Sequence, residues 1–335
     1  MRLRSALLPV LLAAALLSAG GAPPARADTE APEDARLEAL YAELGQPARH
    51  DVVRCILQRP EMRDTDGALR LVRALQTAGG VASVEGLLVI ASHREPLVRA
   101  WALRGASELG IRTSRGVEEA RRALEGTNAN LRRNACWALA VLGDARDVPV
   151  LLEIASNAED AASGFALDAV KALGGLKGPR FRTVTRVRSW WDANQERMLR
   201  EGEEALAEIE AGTSPDLLEM HRAILCRVAW MQPDAVVDRL RGWLSSDDVD
   251  LRREACRVTE AVRLGDLSRG IEHVVAYELD DACFLAGARA AKAIGVPLSE
   301  AVAMRIRRVE DRAAVRSTDA AELADETTVG ESATR

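Results

Sequence analysis

The chain has 335 residues, with 45 Lys and Arg against 51 Asp and Glu, a formal charge of −6 and only 3% aromatic residues. That balance excludes nucleic acid as the expected partner, because phosphate backbones call for a concentrated basic face and the arginines here are interspersed with acids. Five cysteines, an odd number, exclude complete pairing within a monomer.

At the N-terminus Arg2 and Arg4 precede an apolar run over residues 7–19, and Ala25, Arg26 and Ala27 supply small residues where a signal peptidase reads. Residues 1–27 are therefore expected to be a secretory signal peptide, with an uncleaved anchor as the alternative. The run is too short for an ordinary membrane span, and no cysteine precedes Cys55 to carry a lipid. Cleavage would leave 42 basic against 51 acidic groups, a charge of −9, on a periplasmic or secreted protein with no further membrane insertion.

Residues 128–156 hold the pattern on which the rest of the chain is built. Leu131, Ala135, Ala138, Leu139 and Leu142 form one apolar stripe at i, i+4, i+7, i+8 and i+11. Gly143 then offers a left-handed helix stop, Asp147 a cap for the next helix and Pro149 a residue tolerated in its first turn. Val148, Leu151, Leu152 and Ala155 supply a second stripe. The unit is a helix, a turn and a second helix, each apolar on one side.

The same offsets recur before Gly110 (Val98, Ala102, Gly105, Ala106, Leu109), Gly174 (Ala162, Ala166, Ala169, Val170, Leu173) and Gly295 (Cys283, Gly287, Ala290, Ala291, Ile294). Gly45 fits through Leu37, Leu40, Tyr41 and Leu44, and Gly79 more loosely through Ala74, Leu75 and Ala78. From Gly45 to Gly174 the glycines stand 34, 31, 33 and 31 residues apart. A period of this length means stacked supersecondary units rather than a closed core.

In order, a first unit runs from Pro32 to about Pro60, with Val52, Val53, Ile56 and Leu57 on its second helix. A second spans residues 66–92. A third begins near Glu95, and its second helix, capped by Ser114, buries Val117, Ala120 and Leu124. The fifth departs after Gly174 into a stretch containing Trp190 and Trp191, followed by an extra helix over residues 199–211. The stripe resumes with Leu218, Arg222, Leu225, Cys226 and Ala229, and Pro233 marks the next helix start. LRREAC at 251–256 nearly copies LRRNAC at 131–136, and its helix is expected to reach Gly265. Residues 311–335 lose all periodicity and read as a disordered acidic tail. The organisation is thus a signal peptide (1–27), N-terminal repeats (28–177), a Trp-rich insert with an extra helix (178–212), C-terminal repeats (213–310) and a tail (311–335). The expected fold is an all-α solenoid of about eight helix-turn-helix repeats.

VRAWAL and LRRNAC opening first helices, LGD closing one and VPVLLEIA as a second helix resemble HEAT repeats of the short bacterial, phycobilisome-lyase-like type, over about residues 32–309. The stretch with Leu176, Gly178, Phe181, Thr183, the tryptophan pair and Asn194 resembles a Trp-rich insert that follows a HEAT unit in bacterial envelope proteins. That resemblance implies a fold and assigns no activity.

Stacked second helices line an extended surface suited to macromolecular partners. Charged residues outside the second-helix stripes are Glu118, Glu119, Arg121, Arg122, Arg239, Arg241, Glu272 and His273. They are either an ordinary solvated face or a partner-binding stripe. Trp190 and Trp191 point about 100° apart on a helix, so one can pack while the other anchors a partner. The cysteines read as small buried apolar residues. His50, His93, His221 and His273 fall in different units without zinc spacing, and neither GxSxG nor a Walker sequence occurs, so no catalytic, cofactor or metal site is expected. The expectation is a non-catalytic exported scaffold for a protein or peptide partner. The alternatives are a HEAT-like lyase or glycosylase, or a structural subunit of an envelope assembly.

Overall fold

The computed structural model describes residue 56 and residues 58–211 and 217–312. The expected signal peptide, the Gly45 stripe and most of the expected first unit, Cys55, and the residues beyond Arg312 lie outside the described residues.

Seven helix pairs succeed one another in this region. The first helices are α1 (Thr65–Ala78), α3 (Pro96–Leu109), α5 (Ala129–Leu142), α7 (Ser163–Leu173), α9 (Leu218–Val228), α11 (Val249–Val262) and α13 (Asp281–Ile294). The second helices are α2 (Gly80–Ile90), α4 (Ser114–Leu124), α6 (Val148–Ser156), α8 (Val184–Ala211), α10 (Pro233–Leu244), α12 (Ser268–Tyr277) and a helix over residues 300–312. First helices pack on first helices along each half, α1 to α7 and α9 to α13, and the second helices α2, α4, α6, α10 and α12 pack chiefly against the first helix of the following unit. The fold is an all-α solenoid.

Local chemistry sets the helix starts. Asn128 Oδ1 accepts from Leu131 N at 3.0 Å, Asp280 Oδ1 from Cys283 N at 2.8 Å, and Asp64 Oδ1 from Gly67 N at 2.7 Å. Prolines open α3 and α10, where a missing N–H costs nothing. The stripe of α5 is buried in full, as are Cys283, Gly287, Ala290, Ala291 and Ile294 of α13.

Several local expectations are corrected. Thr113, not Ser114, caps α4 by accepting from Gly116 N. Gly143 is extended (φ −70°, ψ −177°), not left-handed; it is glycine because a Cβ there would sit 2.4 Å from Leu139 O. Asp147 does not cap α6. It closes a capping box with Asp144 around the 3-10 turn Ala145–Asp147. α11 ends at Arg263, itself left-handed at φ 56°, before Gly265 is reached. The insert and the extra helix are one 28-residue helix, α8, which takes the second-helix place of the fifth unit: Arg188 Nη2 reaches Leu152 O and Ser156 Oγ on α6.

The solenoid does not stay open. Its within-unit turns meet pairwise across the molecule, in antiparallel order, about the fifth unit. The turn of the second unit touches that of the last, where a Cβ on Gly80 would lie 2.4 Å from Gly295 O. The third meets the seventh through a parallel bridge, Arg112 N donating to Arg263 O at 3.0 Å and Gly265 N to Arg112 O at 2.8 Å. The fourth meets the sixth through Ala145 N to Trp230 O at 2.9 Å. Each half thus covers the turn edge of the other.

Candidate functional site

The seam between the halves carries a concentrated polar network. Asp144, whose side chain is fully buried, accepts on Oδ2 from Arg112, Arg121 and Arg146 at 3.0, 3.0 and 2.8 Å, and on Oδ1 from the Arg146 backbone and Nε. Burial pushes its carboxyl up, but the bonds from Arg146 and the charges of Arg121 and Arg146 hold it below the usual carboxylate range. Arg146 reaches on across the seam to Asp234 at 2.8 Å. Burial holds the Arg112 guanidinium below its ordinary value despite Asp144. Such a network is costly to break on one side, because the remaining charge would be left buried and unpaired. Arg112, Arg121 and Asp144 tie the third unit to the fourth within one half, and the Arg146–Asp234 pair alone in this network joins the two halves.

The N-termini of second helices from opposite halves also meet here. Asp266, just ahead of α12, bonds Ser114 at the start of α4, and Asp234 in the first turn of α10 bonds Arg146 just ahead of α6. Carboxylates at these positions face the positive ends of the helix dipoles.

The sequence candidates scatter over this framework. Arg121 is committed to Asp144 and to Asp147, with Nε 2.6 Å from Asp147 Oδ1, and so belongs to the seam. Arg122 pairs with Glu119 at 2.7 Å, and Glu118 is exposed. Arg239 is half-buried on α10. Arg241, Glu272 and His273 are exposed; Arg241 pairs with Asp238, and the His273 ring lies 4.8 Å from that of Tyr277. Arg241 and His273 share a groove of about 430 Å³ between α10 and α12 with Leu244, Leu267 and Arg269. Trp191 is only 5% exposed and packs in the core. Trp190 is half-buried, edge-on to Phe181 at 6.4 Å and against Gly174.

A second surface was not singled out from the sequence. Trp101 on α3 is 39% exposed, and the Arg104 guanidinium stands 5.4 Å from its ring and 5.6 Å from that of Trp137 on α5. Arg133 on α5 lies 5.9 Å from the ring of Phe165 on α7, which is 43% exposed. Arginine and aromatic side chains thus alternate over three consecutive first helices. The signal was available: Trp101 and Phe165 each stand three residues after the first stripe position, Val98 and Ala162, off the apolar face.

Among the described residues, no group of three or more His, Cys, Asp or Glu is placed to hold a metal, and no helix is long and apolar enough to cross a membrane. Cys136, Cys226, Cys256 and Cys283 are free thiols. Burial pushes the Cys136 thiol up to about 12 and that of Cys226 to about 11.

A family model described as HEAT repeats matches residues 84–167, from within α2 to within α7. This part of the chain is similar to HEAT repeats, and the described residues form an all-α helical solenoid. Among solved structures, human deoxyhypusine hydroxylase in complex with glycerol is similar at 16% identity and a TM-score of 0.30, covering 79% of this chain and 97% of that one. No curated protein matches the chain.

Proposed function

We propose that the chain is a non-catalytic scaffold, exported to the periplasm or beyond, that binds a protein partner across the first helices of its third to fifth units. The observation that carries this reading is the partly exposed Trp101–Arg104–Trp137 array, with Trp101 at its exposed end and Trp137 half-buried, and its continuation through Arg133 to the exposed Phe165. Large aromatics flanked by arginine are the side chains that most often anchor protein interfaces. Partly exposed rings held by cation–π contacts lose little rotamer freedom on docking, which lowers the cost of association. A HEAT scaffold supplies rigid, evenly spaced helices for such anchors. The Leu7–Ala19 run and the Ala25–Arg26–Ala27 site support export.

The test is carboxylate-directed cross-linking mass spectrometry in the cell envelope fraction, comparing wild type with Trp101→Ala/Phe165→Ala. The reading predicts one dominant partner, cross-linked to acids beside α3, α5 and α7, and lost in the variant while the melting temperature is retained. Cross-links unchanged by the variant would remove this surface from consideration. A signal peptide still attached to the mature protein would contradict cleavage.

A further inference from the structure

The groove between α10 and α12 is a basic site on an acidic protein. Arg241, Arg269 and His273 line it with Asp266 and with the buried Leu244 and Leu267. Two carboxylates are close. Asp266 Oδ2 is already held by the backbone and hydroxyl of Ser114, and Asp238 pairs with Arg241 with both side chains largely in water. An exposed pair of that kind is worth about 0–1 kcal/mol, so another carboxylate exchanges with it readily. α12 has no side-chain N-cap, and the positive end of its dipole adds to the charge of Arg269 in its first turn.

The same chain carries a fitting occupant. Residues 319–326 hold Asp319, Glu322, Asp325 and Glu326 with no base among them, and one large apolar side chain, Leu323. The described chain ends at Arg312, whose Nη2 lies 3.0 Å from Asp281 Oδ2 at the start of α13, four residues after α12 ends at Tyr277. α12 is about 15 Å long, and the chain between Arg312 and Leu323 can span about 35 Å when extended. The acidic stretch therefore reaches the whole groove from where it is tethered. Tethering places it there at an effective concentration that a free peptide would match only in the millimolar range.

We propose that residues 319–326 dock in cis into the groove between α10 and α12, with carboxylates on Arg241 and Arg269 and Leu323 over Leu244 and Leu267. An acidic segment of any other protein must then displace the chain's own tail to enter this groove. The inference goes beyond the scaffold reading and holds whichever partner occupies the Trp101 surface.

The experiment uses the full chain with Leu323 replaced by p-benzoylphenylalanine, irradiated at high dilution and mapped by mass spectrometry. The expected result is intramolecular cross-linking to residues 240–245 and 266–273, reduced at least about fivefold by Arg241→Glu with Arg269→Glu, the equivalent of about 1 kcal/mol. Neutralising the tail acids (Asp319→Asn, Glu322→Gln, Asp325→Asn, Glu326→Gln) leaves the helices untouched and must produce the same loss. Cross-links elsewhere on the chain, cross-links that survive both sets of changes, or no cross-links would overturn the proposal. So would cross-links between two copies, which would assign the groove to a neighbour's tail.

Discussion

Asp266 and Ser114 stand 152 residues apart in sequence, yet one carboxylate oxygen of Asp266 accepts from both the Ser114 backbone N–H, at 2.9 Å, and its hydroxyl, at 2.8 Å. The contact joins the start of α4 to the turn before α12. The seventh unit's turn thereby adds a second acceptor at the N-terminus of α4, beside the Thr113 cap.

We predict that Asp266→Ala destabilises the protein by about 1–2 kcal/mol, since it removes two charge-assisted bonds and an anion from a helix N-terminus. Asp266→Asn, which keeps an acceptor, should cost less. Urea unfolding at constant m-value is the readout; an unchanged midpoint for Asp266→Ala would mean that this contact contributes nothing to closure.

Gly110 and Gly143 both end first helices, but for different reasons. Gly110 is left-handed at φ 62°, and a Cβ would meet only the guanidinium end of Arg263, at 3.0 Å. Asn tolerates that conformation, so Gly110→Asn is expected to cost under about 1 kcal/mol. At Gly143 the backbone is extended and the obstacle is the Leu139 carbonyl, so Gly143→Asn should cost at least about 2 kcal/mol through overpacking. Equal costs at the two sites would contradict this distinction.

Trp191 and Trp101 should separate packing from recognition. Trp191→Ala removes a buried ring and is expected to cost about 3–5 kcal/mol. Trp101→Ala loses a partly exposed cation–π contact and should cost no more than about 1 kcal/mol. Comparing thermal midpoints decides the matter, and a large loss for Trp101→Ala would make it a packing residue.

Glu278 links α11 to the turn before α13. The Arg252 guanidinium, 2.7 Å away, holds its carboxyl down to about 2 against an ordinary 4.5, with the Asp280 N–H assisting and burial opposing. A carboxyl lowered in the folded state contributes stability that is fully present above its unfolded value and disappears as pH falls through its folded value. The contribution is on the order of 2–3 kcal/mol. It should be complete above about pH 5 and lost between about pH 4.5 and 2. In urea titrations Glu278→Gln should be less stable than wild type at neutral pH, and the gap should narrow steadily towards about pH 2. A gap independent of pH would exclude this linkage.

The helices were legible in the sequence because stripe, cap and stop are local. The Leu131 to Leu142 offsets, repeated before Gly110, Gly174 and Gly295, are enforced by burial within each unit. The sequence divides α8 because the tryptophan stretch breaks the stripe offsets, while the helix itself runs from Val184 to Ala211, straight through Gly202. The seam was not legible at all. Arg112, Ala145 and Gly265 sit in turns, where no period constrains side chains, and their partners lie in the other half of the chain. The same applies to Arg121, which on a helical projection is an ordinary exposed arginine and gains Asp144 and Asp147 only through the geometry of the neighbouring turn. Trp101 and Phe165 were readable as off-stripe aromatics once the stripe itself was known.

The solenoid folds back so that its turns pair across the molecule. Hydrogen exchange at single amides tests it most directly. Arg112 N, Ala145 N and Gly265 N each donate to a carbonyl in the opposite half, at 3.0, 2.9 and 2.8 Å. They should exchange slowly, with protection approaching that of the α5 and α11 amides, because opening them requires parting the halves. In an open solenoid the same three turn amides would exchange at the rate of exposed loops, and that result would contradict the account.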